Sequence, residues 1–209
     1  MPRPLSVAAL FFSLLTLRLA PTFTAGTFVE GIANFVPLTA LFLCAAVYLP
    51  SRIGVILAFG IFIFTDIALN LYHGFAPITP YTAISLIALG AIFLASQKLR
   101  PRIIRRRLPA LLGLTLAASL LFFIATNTGS WLFDSAYPKS FAGWLQCVIV
   151  GRPEFPPTIT FYRNAAIADL CFSALFYFSY STWRIAPALA NNATRSREPE
   201  EVESLPANH

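Results

Sequence analysis

The sequence predicts an all-α fold, a polytopic membrane helical bundle of about six transmembrane helices. Three observations predict it. Hydrophobic residues are 57% of the 209, about 119 residues, enough for six spans at roughly 20 residues each. Charged residues are 11%, against roughly 25% in soluble domains. The apolar residues also come in unbroken blocks. Runs such as Ile61-Phe62-Ile63-Phe64 do not alternate, as the strands of a membrane barrel would. In hydrocarbon every backbone group must be satisfied internally, so the blocks read as helices. This composition excludes a soluble enzyme, a disordered chain and a nucleic-acid binder.

The spans fall at residues 5–20, 33–50, 53–72, 80–97, 108–127 and 160–183. The first opens on Pro2-Arg3 and is followed by Thr24-Ala25, a pattern shared with secretory leaders. Arg18 stands where a leader would still be apolar, which favours an uncleaved first helix. The second span opens on Asn34 with Pro37 in its first turn, and the third follows Arg52. Phe141–Val150 is a further apolar run, but at ten residues it would be about 15 Å long as a helix. That is too short to span and predicts a short interfacial or re-entrant helix at about 140–150. Residues 1–187 form the transmembrane domain. Residues 188–209, with Arg195, Arg197, Glu198, Glu200, Glu201 and Glu203, read as a disordered cytoplasmic tail.

The net charge of +6 is an orientation signal. Six of the 15 Lys and Arg residues, Lys98, Arg100, Arg102, Arg105, Arg106 and Arg107, lie in the short connection between the fourth and fifth spans. The positive-inside rule makes that connection cytoplasmic, and anionic lipid contact comes with it. Both termini then face the cytoplasm of a cell inner membrane. Arg18, Lys139, Arg152 and Arg163 are the exceptions, on or near the outer side.

With that orientation, the polar residues inside the spans gather on one side. Asp66 lies 14 residues beyond Arg52, roughly 21 Å up the third helix. Asp66, Asn70 and His73 are spaced i, i+4, i+7 and share a face. Asn127 closes the fifth helix. Asn164 stands at the mouth of the sixth, and Asp169 is roughly 14 Å in. Asn34 joins them at the outer end of the second. Two readings are open for this set: a polar cavity facing outward, or inter-helix hydrogen bonding. A lone carboxylate in lipid must be partnered, wet or protonated, so Asp66 and Asp169 demand an account. Arg163 is a candidate ion-pair partner for either. Between the fifth and sixth spans, Trp131, Tyr137 and Trp144 fit either an aromatic belt or a lid over the cavity.

No His-Glu-x-x-His, Gly-x-Ser-x-Gly or P-loop motif is present, and no enzymatic activity is expected. Cys44, Cys147 and Cys171 lack metal-type spacing and read as small buried hydrophobes. No metal or organic cofactor is required.

Several motifs carry a resemblance. Ala33-Asn34-Phe35-x-Pro37-x-x-Ala40 opens the second span, and Asp66, His73 and Tyr81 follow. Phe123-x-x-Thr126-Asn127-x-x-x-Trp131 closes the fifth. Tyr137 precedes Gly143, and Phe161-x-x-Asn164-x-x-x-x-Asp169 with Phe176 lies in the sixth. Over Leu19–Phe178 this order resembles a family of uncharacterised bacterial membrane proteins. In its six-helix plan that family is similar to the substrate-binding S components of energy-coupling-factor (ECF) vitamin transporters, nearest the solitary B12-transporting group. The resemblance implies a membrane-embedded binder that captures a small nutrient from the outer face and hands it to an ECF-type energising module. The B12 group's cysteine has no counterpart in Ile78-Thr79-Pro80-Tyr81, and the Ala-x-x-x-Ala coupling motif is missing from the first helix.

The sequence thus points to a substrate-binding or uptake component for a small-molecule nutrient or vitamin, with the lipid bilayer as its surroundings and no nucleic acid as partner. Asp66, Asn127 and Asp169 are the leading contacts, and Trp131 and Tyr137 are expected as aromatic walls. Asn34, Asn70, His73 and Asn164 complete the candidate site. The rival is a non-transporting structural or assembly subunit of a membrane complex.

Overall fold

Prolines and one basic turn set the helix boundaries in the computed structural model. It describes residues 35–195 together with Phe12, Leu15, Thr16, Arg18 and Leu19, without the side chains of 105–107 and 180–195. Asn34 and the polar tail beyond Arg195 lie outside the described residues. The helices are α1 (Leu38–Tyr48), α2 (Ser51–Tyr72), α3 (Pro80–Phe133), α4 (Phe141–Leu145, continued by a π-helical turn over Gln146–Val150) and α5 (Thr158–Arg195). The five described positions of the first segment are helical too. No strand occurs among the described residues.

The centre of the bundle is α1. It has 11 residues, all buried, and α2, α3 and α5 pack around it. The expected second span, 33–50, is therefore corrected. A helix of this length is about 16 Å long, half of what a crossing needs. Two prolines impose the limit. Pro37 stands immediately before α1, and Leu49 is extended (φ −95°, ψ 157°) ahead of Pro50, as the residue before proline prefers. A helix apolar on every face belongs inside protein as readily as in lipid.

In α2 the buried positions are Gly54, Ala58, Phe62 and Thr65, a narrow stripe against α1. Ile53, Ile56, Ile63 and Phe64 are exposed on its other faces. The stripe brings backbones close, since a Cβ on Gly54 would lie 2.8 Å from the Ala45 carbonyl oxygen. Phe42 of α1 packs edge-on against Phe59, with centroids 4.8 Å apart. The helix stops at His73, followed by Gly74 at φ +76°, the left-handed position that glycine accepts without strain.

Although α3 is helical over 54 residues, it is not one rod. A straight helix of that length would be about 81 Å long. Instead the rings of Tyr81 and Phe133 lie 6.4 Å apart, and Ile84 packs on Gly129. Both pairs centre on residues 106–107, so the chain reverses inside the arginine segment, between Pro101 and Pro109. The arms, Pro80–Ile104 and Leu108–Phe133, are the spans expected at 80–97 and 108–127. A helical turn replaces the expected loop, and the second arm runs six residues further. Thr79 and Thr82 form a reciprocal capping box at the start of the first arm, with Pro80 at the first helical position.

Among the described residues, α2 and the two arms of α3 are long and apolar enough to cross a membrane. The fifth helix, α5, follows the expected sixth span but continues to Arg195, so residues 188–195 are helical where the sequence reads as tail. Ala186, Ala188, Ala190 and Ala193 favour that extension. The expected short helix at 140–150 is α4 with its π-helical turn.

The Gly54 contact is testable. Gly54→Ala gains helix propensity of about 1 kcal/mol but forces α1 and α2 apart, a strain of about 1–3 kcal/mol. It should lower the unfolding temperature in detergent. Gly113→Ala, with nothing within 4 Å of the added carbon, should leave it equal or higher.

Candidate functional site

At the open end of the α3 hairpin, away from the arginine turn, the helices enclose a cavity of about 640 Å³. Each element contributes through residues its sequence places there. The start of α1 gives Val36, Leu38 and Thr39. Phe62, Asp66, Leu69 and His73 come from the last turns of α2. Ser85 comes from the first arm of α3, and Ser119, Phe122, Phe123, Thr126 and Asn127 from the second. Thr158, Phe161, Ala165 and Asp169 line it from α5, and Arg18 from the first segment. The walls are aromatic and aliphatic with a few convergent polar groups, the usual composition of a small-molecule site.

Asp66 is held by three elements. Arg18 Nη2 donates to Oδ1 at 3.1 Å. Thr82 Oγ1 donates to Oδ2 at 2.6 Å, and Asn70 Nδ2 reaches the same oxygen at 3.4 Å. The carboxylate thus joins the first segment, α2 and the capped start of α3. The Arg18 and Asp66 side chains are 10% and 19% exposed, and the guanidinium stacks over Phe62 at 4.8 Å. Its Nε is buried and has no hydrogen-bond partner among the described residues.

Asp169 is 1% exposed. Its Oδ1 accepts from the backbone N–H of Ala40 at 2.9 Å, and its Oδ2 accepts from the Thr39 hydroxyl. The Ser119 hydroxyl also bonds it. The start of α1 has no capping side chain of its own, so a carboxylate from α5 caps it across the helix interface. The polar seam continues inward, where Thr115 and Ser173 hydroxyls lie 2.9 Å apart.

Of the residues expected at the site, Asp66, His73, Asn127 and Asp169 line one cavity. His73 is exposed and packs edge-on against Tyr72. Asn127 Nδ2 donates to the Phe123 carbonyl at 2.8 Å. Asn70, Trp131, Tyr137 and Asn164 are not among the cavity's described lining residues. Asn70 also reaches the Pro77 carbonyl and so braces the loop before α3. Trp131 Nε1 donates to the Pro138 carbonyl at 2.8 Å. Tyr137 is buried beside Cys147, so the two expected aromatic walls build the connection after α3 instead. Asn164 is buried and accepts from Arg163. That contact corrects the expected pairing of Arg163 with an aspartate, since the cation on Asp66 is Arg18.

Arg18 is the main residue the sequence reading missed as a site member. Its signal is a cation inside an apolar segment, which in the sequence bears equally on leader cleavage and on topology. Among the described residues no group of three His, Cys, Asp or Glu could hold a metal ion.

Above the hairpin's open end, the connection after α3 is tied down. Asp134 pairs with Arg152, Trp144 Nε1 donates to Thr128 Oγ1 at 3.0 Å, and Cys147 Sγ donates to the Asn127 carbonyl at 3.3 Å. The Ala136 backbone N–H, and then Arg152, hold the Asp134 carboxyl below the usual carboxylate range.

The chain belongs to DUF6580, a family of unknown function, which it matches over residues 1–189. No curated protein and no solved structure matches it.

Two outcomes follow from these contacts. Asp169→Ala orphans buried donors at about 1–3 kcal/mol each. It should therefore lower thermal stability in detergent more than Thr39→Val, which leaves the Ala40 bond in place. Equal stability of wild type and Asp169→Ala would remove the capping role. For Asp134, a depressed carboxyl contributes stability that is complete above its unfolded value and is lost as pH falls through the folded one. The protection of the Ala136 amide, corrected for the intrinsic pH dependence of exchange, should hold from neutral pH down to about 4, the ordinary aspartate range, and fall only below. In Asp134→Ala, which has no acceptor for that bond, the protection should be low throughout.

Proposed function

We propose that the protein is a substrate-binding or uptake component of the cell inner membrane, taking a small nutrient of vitamin size from the outer face. The observation that carries this reading is the cavity at the end of the bundle away from the arginine turn. Arg18, Asp66, His73, Asn127 and Asp169 converge there from four elements onto apolar walls. With the arginine turn and both termini in the cytoplasm, that cavity faces outward. Thr126, Asn127, Phe161 and Asp169 belong to the motifs that carry the resemblance to an uncharacterised family with an S-component-like six-helix plan, and all four line the cavity, which supports a binding role. The arrangement suits binding rather than catalysis. Asp66 and Asp169 are engaged by different protein donors.

One observation favours a second reading, a non-transporting subunit of a larger complex. Both carboxylates are already occupied by protein donors, as structural groups would be.

The test is small-molecule mass spectrometry of the protein purified from its native membranes. A nonlipid molecule should copurify near one per chain with the wild type. It should be absent from Ala165→Trp, which fills the cavity from α5 and leaves both carboxylates in the sequence. No such molecule in the wild type, or equal amounts in both, would favour the second reading.

A further inference from the structure

The arginine turn has chemistry that orientation alone does not use. Between Asp66 and Asp134 the sequence contains no Asp or Glu, while residues 98–107 carry six cations. No carboxylate among the described residues pairs with Lys98, Arg100 or Arg102. Beside this turn lies a groove of about 440 Å³, lined by Leu99, Arg102, Ile103, Ala110 and Leu114. The register explains its form. Leu99 and Ile103 are an i, i+4 pair on the first arm of α3, and Ala110 and Leu114 are another on the second. Each pair presents one apolar face to the space between the arms. Arg102 stands at the rim and is exposed, as is Lys98 one turn earlier on the same face. Ile104, also at the turn, is 44% exposed, which places the turn where apolar surface and cations meet.

We propose that this groove binds an anionic phospholipid, with an acyl chain between the arms and the headgroup phosphate on Arg102 and Lys98. The site is separate from the cavity and does not depend on the transport reading. Two features select the occupant. The uncompensated charge selects an anion, and the apolar floor directly beneath Arg102 selects one that carries a hydrocarbon tail. A free phosphate or a nucleic acid would use the cations and leave the floor bare. A neutral lipid would use the floor and leave the cations unpaired.

The experiment is native mass spectrometry of the full chain, delipidated in mild detergent and titrated with phosphatidylglycerol or phosphatidylcholine of identical chains. Phosphatidylglycerol should bind several-fold more tightly. Arg102→Gln leaves five cations in the turn, so insertion is preserved, and it should weaken that lipid about fivefold, the weight of one cation near an anionic surface. Ala110→Trp fills the groove and should reduce phosphatidylglycerol binding to a similar or greater degree. Lys139→Gln, at the far end of the bundle, should change neither. Equal binding of the two lipids would overturn the proposal, and so would an unaltered affinity in Arg102→Gln. An unaltered affinity in Ala110→Trp would reduce the site to a headgroup patch and overturn the groove. Displacement of the lipid by short duplex DNA or inorganic phosphate at equal concentration would show a general polyanion site and overturn it as well.

Discussion

The buried carboxylate of Asp169 on the first turn of α1 is the contact on which the bundle's geometry depends. A helix leaves its first backbone N–H groups without internal partners, and at the surface water satisfies them. The start of α1 is enclosed by three other helices, and no side chain of its own caps it. In a low-dielectric interior an unpaired N–H is costly. The carboxylate supplies both an acceptor and a negative charge at the positive end of the helix. Because it arrives from α5, it also fixes the rotation and depth of that helix. With Asp169 seated, Phe172, Ser173 and Phe176 fall on the same inward face. Phe176 packs on Tyr48 at 5.4 Å, and Ser173 reaches Cys44 and Thr115. One polar contact thus sets the register of an apolar interface, for which apolar packing alone has little directional preference.

Asp66 plays the corresponding part at the other side of the cavity. Hydrophobic packing cannot hold the first segment, α2 and α3 in register inside lipid, where tails are as apolar as side chains. A carboxylate bonded at once to Arg18, Thr82 and Asn70 can. The cavity is bounded by these two locks, with aromatic walls from α2, α3 and α5 between them. Its polar groups therefore serve the fold and the site together.

The apolar blocks made much of this legible in the sequence. The third, fourth and fifth spans are where hydropathy puts them, and so is the short helix near 140–150. The second span was misread because apolarity does not distinguish lipid from protein interior. Leu38–Tyr48 is apolar all round, and only the prolines on either side reported its true length. Burial demanded partners for Asp66 and Asp169, and that much was readable from the sequence. The partners themselves were not. Asp169 binds a backbone N–H 129 residues away, which no local spacing encodes. Arg163, the nearest cation in sequence, turned to its neighbour Asn164 instead. Arg18 did not stand out as a site residue, because a cation near a span end serves topology and chemistry equally well.

The two locks differ in what holds them, and the difference bears on any molecule that enters the cavity. Asp169 is bonded to the backbone of α1 and is almost fully buried, so withdrawing it would expose a helix start to a medium with no replacement donor or acceptor. Asp66 would keep Thr82 and Asn70 if Arg18 turned away. Among the described residues, Arg18 binds it through a single nitrogen and lies over the face of Phe62. A guanidinium has five N–H donors, and a carboxylate partner can accept two of them in parallel. The Arg18–Asp66 bond is therefore the weaker of the two locks and sits on the cavity wall. Asp169 anchors the fold, and Arg18 brings a guanidinium to the cavity wall, on Asp66 and the face of Phe62.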